Sequence, residues 1–218
     1  MKRFFVCCAL LLELTVTAPA APLSRDLGQG LGYYRIHQLP ADLPTADAMH
    51  RQACVLDLRY MSGNPEAAAA LAAWLKFNST EHAPVFVLAN ADTGAELLAA
   101  IVPRGPGMSV VLLGAASPGF TPDIALNISP DTERRAYDAL EQGATIETLL
   151  NENPDKPRND EAQLEKERQS DAPAADELNP PAAPDADIAR PKRPPPLIDV
   201  VLRRAVQLHR TLLALRKI

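Results

Sequence analysis

The sequence predicts an α/β fold with a mostly parallel sheet. Three short apolar runs, "ACVLDLR" (residues 53–59), "PVFVLA" (84–89) and "SVVLLG" (109–114), have the length and composition of buried strands. Segments with helical composition lie between them. Strands that alternate with helices are typical of βαβ units, whose crossovers are right-handed.

Local patterns predict the flanking elements in chain order. "YYRIHQL" (33–39) alternates in the manner of a half-buried strand. "PEAAAALAAWLKF" (65–77) places a proline at the first helical position and is rich in alanine and leucine, which predicts a helix. "GAELLAAI" (94–101) predicts a second, shorter helix after the next strand.

A third helix is predicted over "SPDTERRAYDALEQG" (129–143). Ser129 or Asp131 suits its N-cap, because a short polar side chain can accept a hydrogen bond from the first free backbone N–H groups. Gly143 suits the position after its C-terminus. These elements together predict an α/β domain over residues 21–150.

The N-terminus predicts an export signal over residues 1–20. Lys2 and Arg3 precede the apolar run "FFVCCALLLELTV", and "APA" supplies small residues at the usual cleavage spacing. The apolar run is short for a bilayer span, so an uncleaved anchor is the alternative. We therefore expect an exported protein, periplasmic or secreted. Cleavage would leave Cys54 as the remaining cysteine, and its apolar run favours a buried small side chain over a nucleophile.

The second half of the chain predicts a linker and a terminal helix. Residues 151–196 hold many acidic residues and prolines and few large apolar ones, which predicts a disordered or extended linker. Residues 197–218 predict an amphipathic helix with the apolar stripe Ile198, Val201, Ala205, Leu208, Leu212 and Leu215. This helix could dock on the domain, associate with a second copy, or lie on a membrane surface through its basic residues.

Charge and residue usage exclude some functions. The net charge of −5, from 22 basic and 27 acidic residues, gives no indication of a nucleic-acid partner. Cysteine and histidine do not occur at zinc-binding spacings. We therefore expect neither a metal nor a cofactor.

Chemistry in an open parallel sheet collects at the carboxyl ends of the strands. The three predicted strand ends are "DLRYMSGNP", "NADTGAE" and "GAASPGFTPDI". In this order, and with the helices between them, they resemble the tail-specific (C-terminal-processing) serine peptidases. The resemblance covers most of residues 30–150 and implies a ClpP/crotonase-like core. No PDZ segment is found, although many members of the family carry one.

The resemblance implies a serine nucleophile before a "SE" pair, a lysine base in a "GKG" loop and oxyanion donors from glycines that follow "DLR". Asp57 and Arg59 match the "DLR" motif, and Glu96 matches the "SE" glutamate. The nucleophile position falls on Thr93 or Ala95. Phe120 stands where the lysine belongs. The family's catalytic dyad is therefore absent at these positions.

The remaining matches to the peptidase family imply a peptide-binding groove that lacks the catalytic groups. Gly63 keeps one glycine of the oxyanion segment, Asn64 replaces the other, and Gly94 follows the nucleophile position. Thr93 is expected to cap the following helix or to bond locally in its turn. Ser117, before a proline, is expected to shape a turn.

Structural roles are expected for Asp57 and Arg59, as a salt bridge or loop hydrogen bonds at a strand end. The favoured function is an inactive peptidase-like domain that binds polypeptide or acts as a scaffold. An active serine-type or threonine-type peptidase is the first alternative, with His37 or His50 as a base for Thr93. A membrane-surface adaptor acting through residues 197–218 is the second.

Overall fold

The computed structural model describes residues 23–45, 52–150 and 196–218. The predicted export signal, the predicted linker up to residue 195 and the candidate base His50 lie outside the described residues. The domain boundaries drawn from the sequence at 20, 150 and 196 stay predictions.

The described residues contain six strands and five helices. Along the chain they are β1 (Leu23–Asp26), β2 (Leu31–Arg35), β3 (Ala53–Asp57), α1 (Pro65–Asn78), β4 (Val85–Leu88), α2 (Ala95–Ile101), β5 (Val110–Gly114), β6 (Ile124–Ala125), α3 (Pro130–Glu141), α4 (Ile146–Leu150) and α5 (Val200–Ala214).

The six strands form one sheet in the order β1-β2-β3-β4-β5-β6. β1 pairs with β2 antiparallel, whereas β2 with β3, β3 with β4 and β5 with β6 are parallel. The predicted α/β class and mostly parallel sheet are confirmed. A ClpP/crotonase-like core remains a prediction.

The first predicted strand was misplaced in its bounds. β2 covers Leu31–Arg35, with alternate residues buried, rather than residues 33–39. The chain leaves the sheet after Ile36, because the Asp42 carboxylate accepts hydrogen bonds from the backbone N–H groups of His37 (2.8 Å) and Gln38 (2.7 Å). This short-range turn ends the strand despite the alternating sequence.

Sequence patterns missed three short elements, namely β1, β6 and α4. β1 and β2 form a hairpin whose turn uses Gly28 and Gly30 at φ +82° and +73°. The Asp26 carboxylate accepts a hydrogen bond from the Gly28 N–H (2.8 Å), which fixes the turn. A four-residue strand with mostly exposed residues carries little periodicity, so it gave no signal.

Contacts along the chain define two compact units. The described residues up to Val111 belong to the first, and those from Leu112 to Lys217 to the second. In the first unit, β3 and β4 are buried along their whole length, and α1 packs against α2. Continuous burial explains why both strands read as unbroken apolar runs.

α1 shows how sequence and burial correspond. Asn64 caps it by accepting a hydrogen bond from the Ala67 N–H (2.8 Å), and Pro65 occupies its first turn. Its buried face consists of Ala67, Leu71 and Leu75, spaced four residues apart. The opposite face is exposed, and Phe77 remains 80% exposed.

In the second unit, both ends of α3 match their predicted signals. Ser129 is the N-cap and accepts from the Thr132 N–H (3.3 Å), so Asp131 is not the cap. Gly143, at φ +92°, follows the C-terminus, and its N–H donates to the Leu140 carbonyl (3.3 Å). Glycine adopts this left-handed conformation at no steric cost.

The terminal helix docks within the second unit. Asp199 caps α5, and its own backbone N–H donates to the carbonyl of Leu149 in α4 (3.0 Å). α4 and α5 pack together. No helix within the described ranges combines the length and the apolar character needed to cross a bilayer.

α5 buries two of the six residues in its predicted apolar stripe, Val201 and Ala205, and the other four are half-buried or exposed. Its buried residues are Val201, Leu202, Ala205, Val206 and His209. Leu208 and Leu212 are half-buried and Leu215 is 63% exposed. The packed face is therefore rotated by about one residue from the predicted stripe. Contact with α4 and the rest of the unit selects the buried face, and the spacing of apolar residues does not.

We expect Leu71→Ala to destabilise the first unit by about 2–5 kcal/mol, because the truncation leaves a cavity at a fully buried site. Urea unfolding followed by the fluorescence of Trp74, the chain's single tryptophan, measures this loss in the same helix. The matched control is Phe77→Ala, which should change stability by less than about 0.5 kcal/mol. Equal losses for the two variants would contradict this packing of α1.

Candidate functional site

The candidate site lies where β3 and β4 end in the first unit. The parallel register sets Asp57 opposite Leu88. The Leu58 N–H continues this pairing to the Leu88 carbonyl (2.9 Å). The β3–α1 loop (58–64) and the β4–α2 loop (89–94) therefore begin side by side at the carboxyl edge of the sheet.

Thr93 links the two loops through its hydroxyl group. The hydroxyl donates to the Leu58 carbonyl (3.1 Å) and accepts from the Asn90 N–H (3.0 Å), and the residue is 3% exposed. It does not cap α2, because the N-cap is Gly94 and no side chain bonds there. A hydroxyl held in this way lacks the exposure that a nucleophile needs, and no base bonds to it within the described residues.

Asn90 is a site residue that the sequence reading missed. Its side-chain oxygen lies within hydrogen-bonding distance of the backbone N–H of Tyr60 (3.3 Å), the N–H of Asp92 (3.2 Å) and the Thr93 hydroxyl (3.2 Å). The side chain is 4% exposed. An asparagine at the start of "NADTG", two residues after a buried strand, is a turn-forming signal that could have identified it.

Gly94 brings the two loops into backbone contact. Its N–H donates to the Met61 carbonyl (2.8 Å). A Cβ atom at position 94 would lie 2.5 Å from the Gly63 nitrogen, and one at position 63 would lie 2.6 Å from the Leu97 side chain. Glycine at 94 is therefore required by close backbone approach, which is a steric reason independent of any catalytic role.

Asn64 and Glu96 occupy the first turns of the two helices. Asn64 is exposed and its carboxamide is used to cap α1. Glu96 is exposed in the first turn of α2, where a negative charge interacts favourably with the helix dipole. The surroundings of these two side chains give no indication of a catalytic role.

A buried ionic cluster anchors the start of the β3–α1 loop. Arg59 donates to both carboxylate oxygens of Asp57, from Nε (2.9 Å) and from a terminal nitrogen (2.6 Å). The Tyr33 hydroxyl donates to the same carboxylate (2.8 Å). Asp57 and Arg59 are fully buried. The sequence reading found the pair but missed Tyr33.

Two opposing effects set the pKa of Asp57. Burial by itself raises it, because a charged carboxylate loses its hydration. The Arg59 guanidinium, the hydrogen bonds from Arg59 and Tyr33, and the charge of Arg35 outweigh burial, so the pKa lies below its usual value. Asp57 is thus a stable carboxylate and has no tendency to act as a general acid near neutral pH.

Cys54 lies within β3, and burial raises the pKa of its thiol. The thiol is therefore protonated at neutral pH, in keeping with its prediction as a buried small side chain.

The second unit holds the other two candidate residues. Ser117 and Phe120 are joined by two backbone hydrogen bonds, of 3.1 and 3.0 Å, around Pro118 and Gly119. Gly119 has φ +83°, so proline and glycine occupy the central positions of a tight turn. Phe120 is 3% exposed and supplies no titratable group.

No histidine bonds to Thr93 within the described residues. The hydroxyl contacts only Leu58 and Asn90 there, and the side chains of His37 and His82 are exposed. The parts of the chain that the structure describes also hold no group of three or more histidine, cysteine or acidic side chains suited to a metal ion. No family model, curated protein or solved structure matches the chain.

We expect Gly94→Ala to destabilise the first unit by about 1–3 kcal/mol, because the new methyl group must displace the Gly63 backbone. Urea unfolding gives the loss. Gly105→Ala is the matched control, since a Cβ there would meet the Met108 sulfur at an ordinary 3.6 Å, and its effect should stay within about 0.5 kcal/mol. A neutral Gly94→Ala variant would contradict the close approach of the loops.

We expect Asp57→Asn to cost about 3–5 kcal/mol, because it leaves the buried Arg59 guanidinium without its carboxylate. The wild type should also lose stability in acid. The pKa of Asp57 is lowered in the folded state, so its contribution is complete above about pH 4 and falls as the pH drops through the folded pKa.

Urea unfolding from pH 7 down to pH 3 measures both effects. Asp138→Asn is the control, because its ion pair with Arg134 is solvent-exposed and should contribute less than about 0.5 kcal/mol. If Asp57→Asn keeps the wild-type slope of stability against pH in acid, the buried carboxylate does not contribute as described.

Proposed function

We propose that the protein is a non-catalytic, peptidase-like domain that binds extended polypeptide at the carboxyl edge of its sheet. The observation that carries this proposal is the state of Thr93. The residue is 3% exposed, and its hydroxyl both donates and accepts a hydrogen bond between the two loops. The position that matches a nucleophile is thus a structural link.

The position that matches the catalytic lysine also supports the non-catalytic proposal. Phe120 replaces the lysine that the peptidase resemblance implies, and it is buried in a tight turn. General-base catalysis needs a titratable group within hydrogen-bonding reach of the nucleophile. Among the described residues Thr93 has no such partner.

Polypeptide binding is supported by the loop that remains exposed. Ser62 and Asn64 are exposed, and Gly63 is half-buried between them. The Gly63 N–H makes no hydrogen bond within the described residues. A backbone N–H on an exposed loop can donate a hydrogen bond to a carbonyl oxygen of an extended chain.

One observation favours the alternative of an active hydrolase. The Ser117 hydroxyl oxygen is buried and has no hydrogen-bond partner within the described residues. Ser117 would be the displaced nucleophile of such a hydrolase if a base reached its hydroxyl. Against the membrane-surface alternative, the main apolar face of α5 is already packed within the second unit.

We expect the mature protein to show neither turnover of an unfolded protein substrate nor labelling by a fluorophosphonate. Thr93→Ala and Ser117→Ala serve as the matched variants in both assays, with an active serine peptidase as the positive control. Labelling or turnover that Thr93→Ala or Ser117→Ala abolishes would falsify the non-catalytic proposal.

Binding is tested separately with a reduced, carboxymethylated and fluorescently labelled polypeptide. Fluorescence anisotropy should show saturable binding, and Ser62→Trp should weaken it by about tenfold or more by covering the exposed loop. Ser24→Trp, at an exposed position of β1, should leave the affinity unchanged. Absence of binding, or equal losses in both variants, would overturn the proposed site.

A further inference from the structure

A concave surface lies in the first unit, away from the carboxyl edge of the sheet. It is a pocket of about 540 Å³ formed by the C-terminal ends of α1 and α2 and by the segment before β5. Helices that follow parallel strands end near the amino ends of the neighbouring strands. The pocket therefore lies at the opposite end of β4 from Thr93, and the proposed polypeptide site does not use it.

The pocket wall is mainly apolar. Ala72 of α1, Ala100 of α2, Pro103, Pro106 and Met108 contribute to it. Its volume falls within the usual range of small-molecule sites, about 300–1,000 Å³. Small side chains on both helices leave the space open, and the proline-rich segment closes one side.

Lys76 supplies the one charge of the lining. It is exposed and forms no ion pair within the described residues, and none of the lining residues is acidic. The other polar groups are already engaged. Ser79 donates to the Leu75 carbonyl (2.6 Å), and the Thr80 hydroxyl accepts from the Ala83 N–H (3.1 Å).

We propose that this pocket binds a small apolar monocarboxylate. The hydrocarbon part lies against Ala72, Ala100 and Met108, and the carboxylate pairs with the Lys76 ammonium at the mouth. Burial of the hydrocarbon provides most of the affinity, since each methylene group transferred from water contributes about 0.8 kcal/mol. The lysine fixes the orientation of the ligand and selects an anionic head over a cationic one.

Decanoate is a suitable probe, used with the full chain and below its critical micelle concentration. Isothermal titration calorimetry should show saturable binding with one site. Decyltrimethylammonium, which has the same chain and the opposite charge, should bind at least about tenfold more weakly. Equal binding of the two probes, or no saturable binding of decanoate, would overturn the proposal.

Two variants test the location. Lys76→Glu should weaken decanoate binding by about tenfold or more, and the same charge change at the exposed Lys217 should alter it less than about twofold. Ala100→Leu should weaken binding by filling the pocket, with circular dichroism confirming that the variant is folded. Wild-type affinity in either pocket variant would disprove this site. Ser62→Trp should leave decanoate binding intact, so this result stands or falls independently of the polypeptide site.

Discussion

The buried carboxylate of Asp57 is the constraint on which the candidate site depends. It ends β3 and holds the Arg59 side chain by two hydrogen bonds, so the first residues of the β3–α1 loop have a fixed direction. A buried ion pair recovers its desolvation cost only when its remaining hydrogen-bonding capacity is used. The Tyr33 hydroxyl supplies one of these additional bonds from the neighbouring strand.

From this anchor the loop reaches the β4–α2 loop through a small set of polar contacts. Thr93 and Asn90 use side chains to bond backbone groups of residues 58 and 60, and Gly94 bonds the Met61 carbonyl through its backbone. Each contact satisfies a polar group that is buried or partly buried. Together they join the β4–α2 loop to the β3–α1 loop and engage the Thr93 hydroxyl in backbone contacts, and this is the physical basis of the non-catalytic proposal.

The elements with strong local signals could be predicted. β3, β4 and β5 are short apolar runs, and α1 and α3 carry proline, capping residues and, for α3, a terminal glycine. The elements whose presence or bounds were not predicted lack such signals. β1 and β6 are too short and too exposed for periodicity, and β2 ends early because Asp42 bonds the backbone of His37 and Gln38. The rotation of α5 was missed because leucine spacing does not reveal which face another helix covers.

The sequence by itself determined the α/β class, the order of most elements and the absence of a lysine at the position of Phe120. These depend on composition, short-range periodicity and residue identity. Only the tertiary structure decided what Thr93, Gly94 and Asn90 do, because their roles depend on a second loop some 30 residues earlier in the chain. A threonine in a strand–turn–helix segment has the same local sequence whether its hydroxyl faces a substrate or a buried carbonyl. The packing of β3 beside β4 decides between the two, because it sets the Leu58 carbonyl next to the Thr93 hydroxyl.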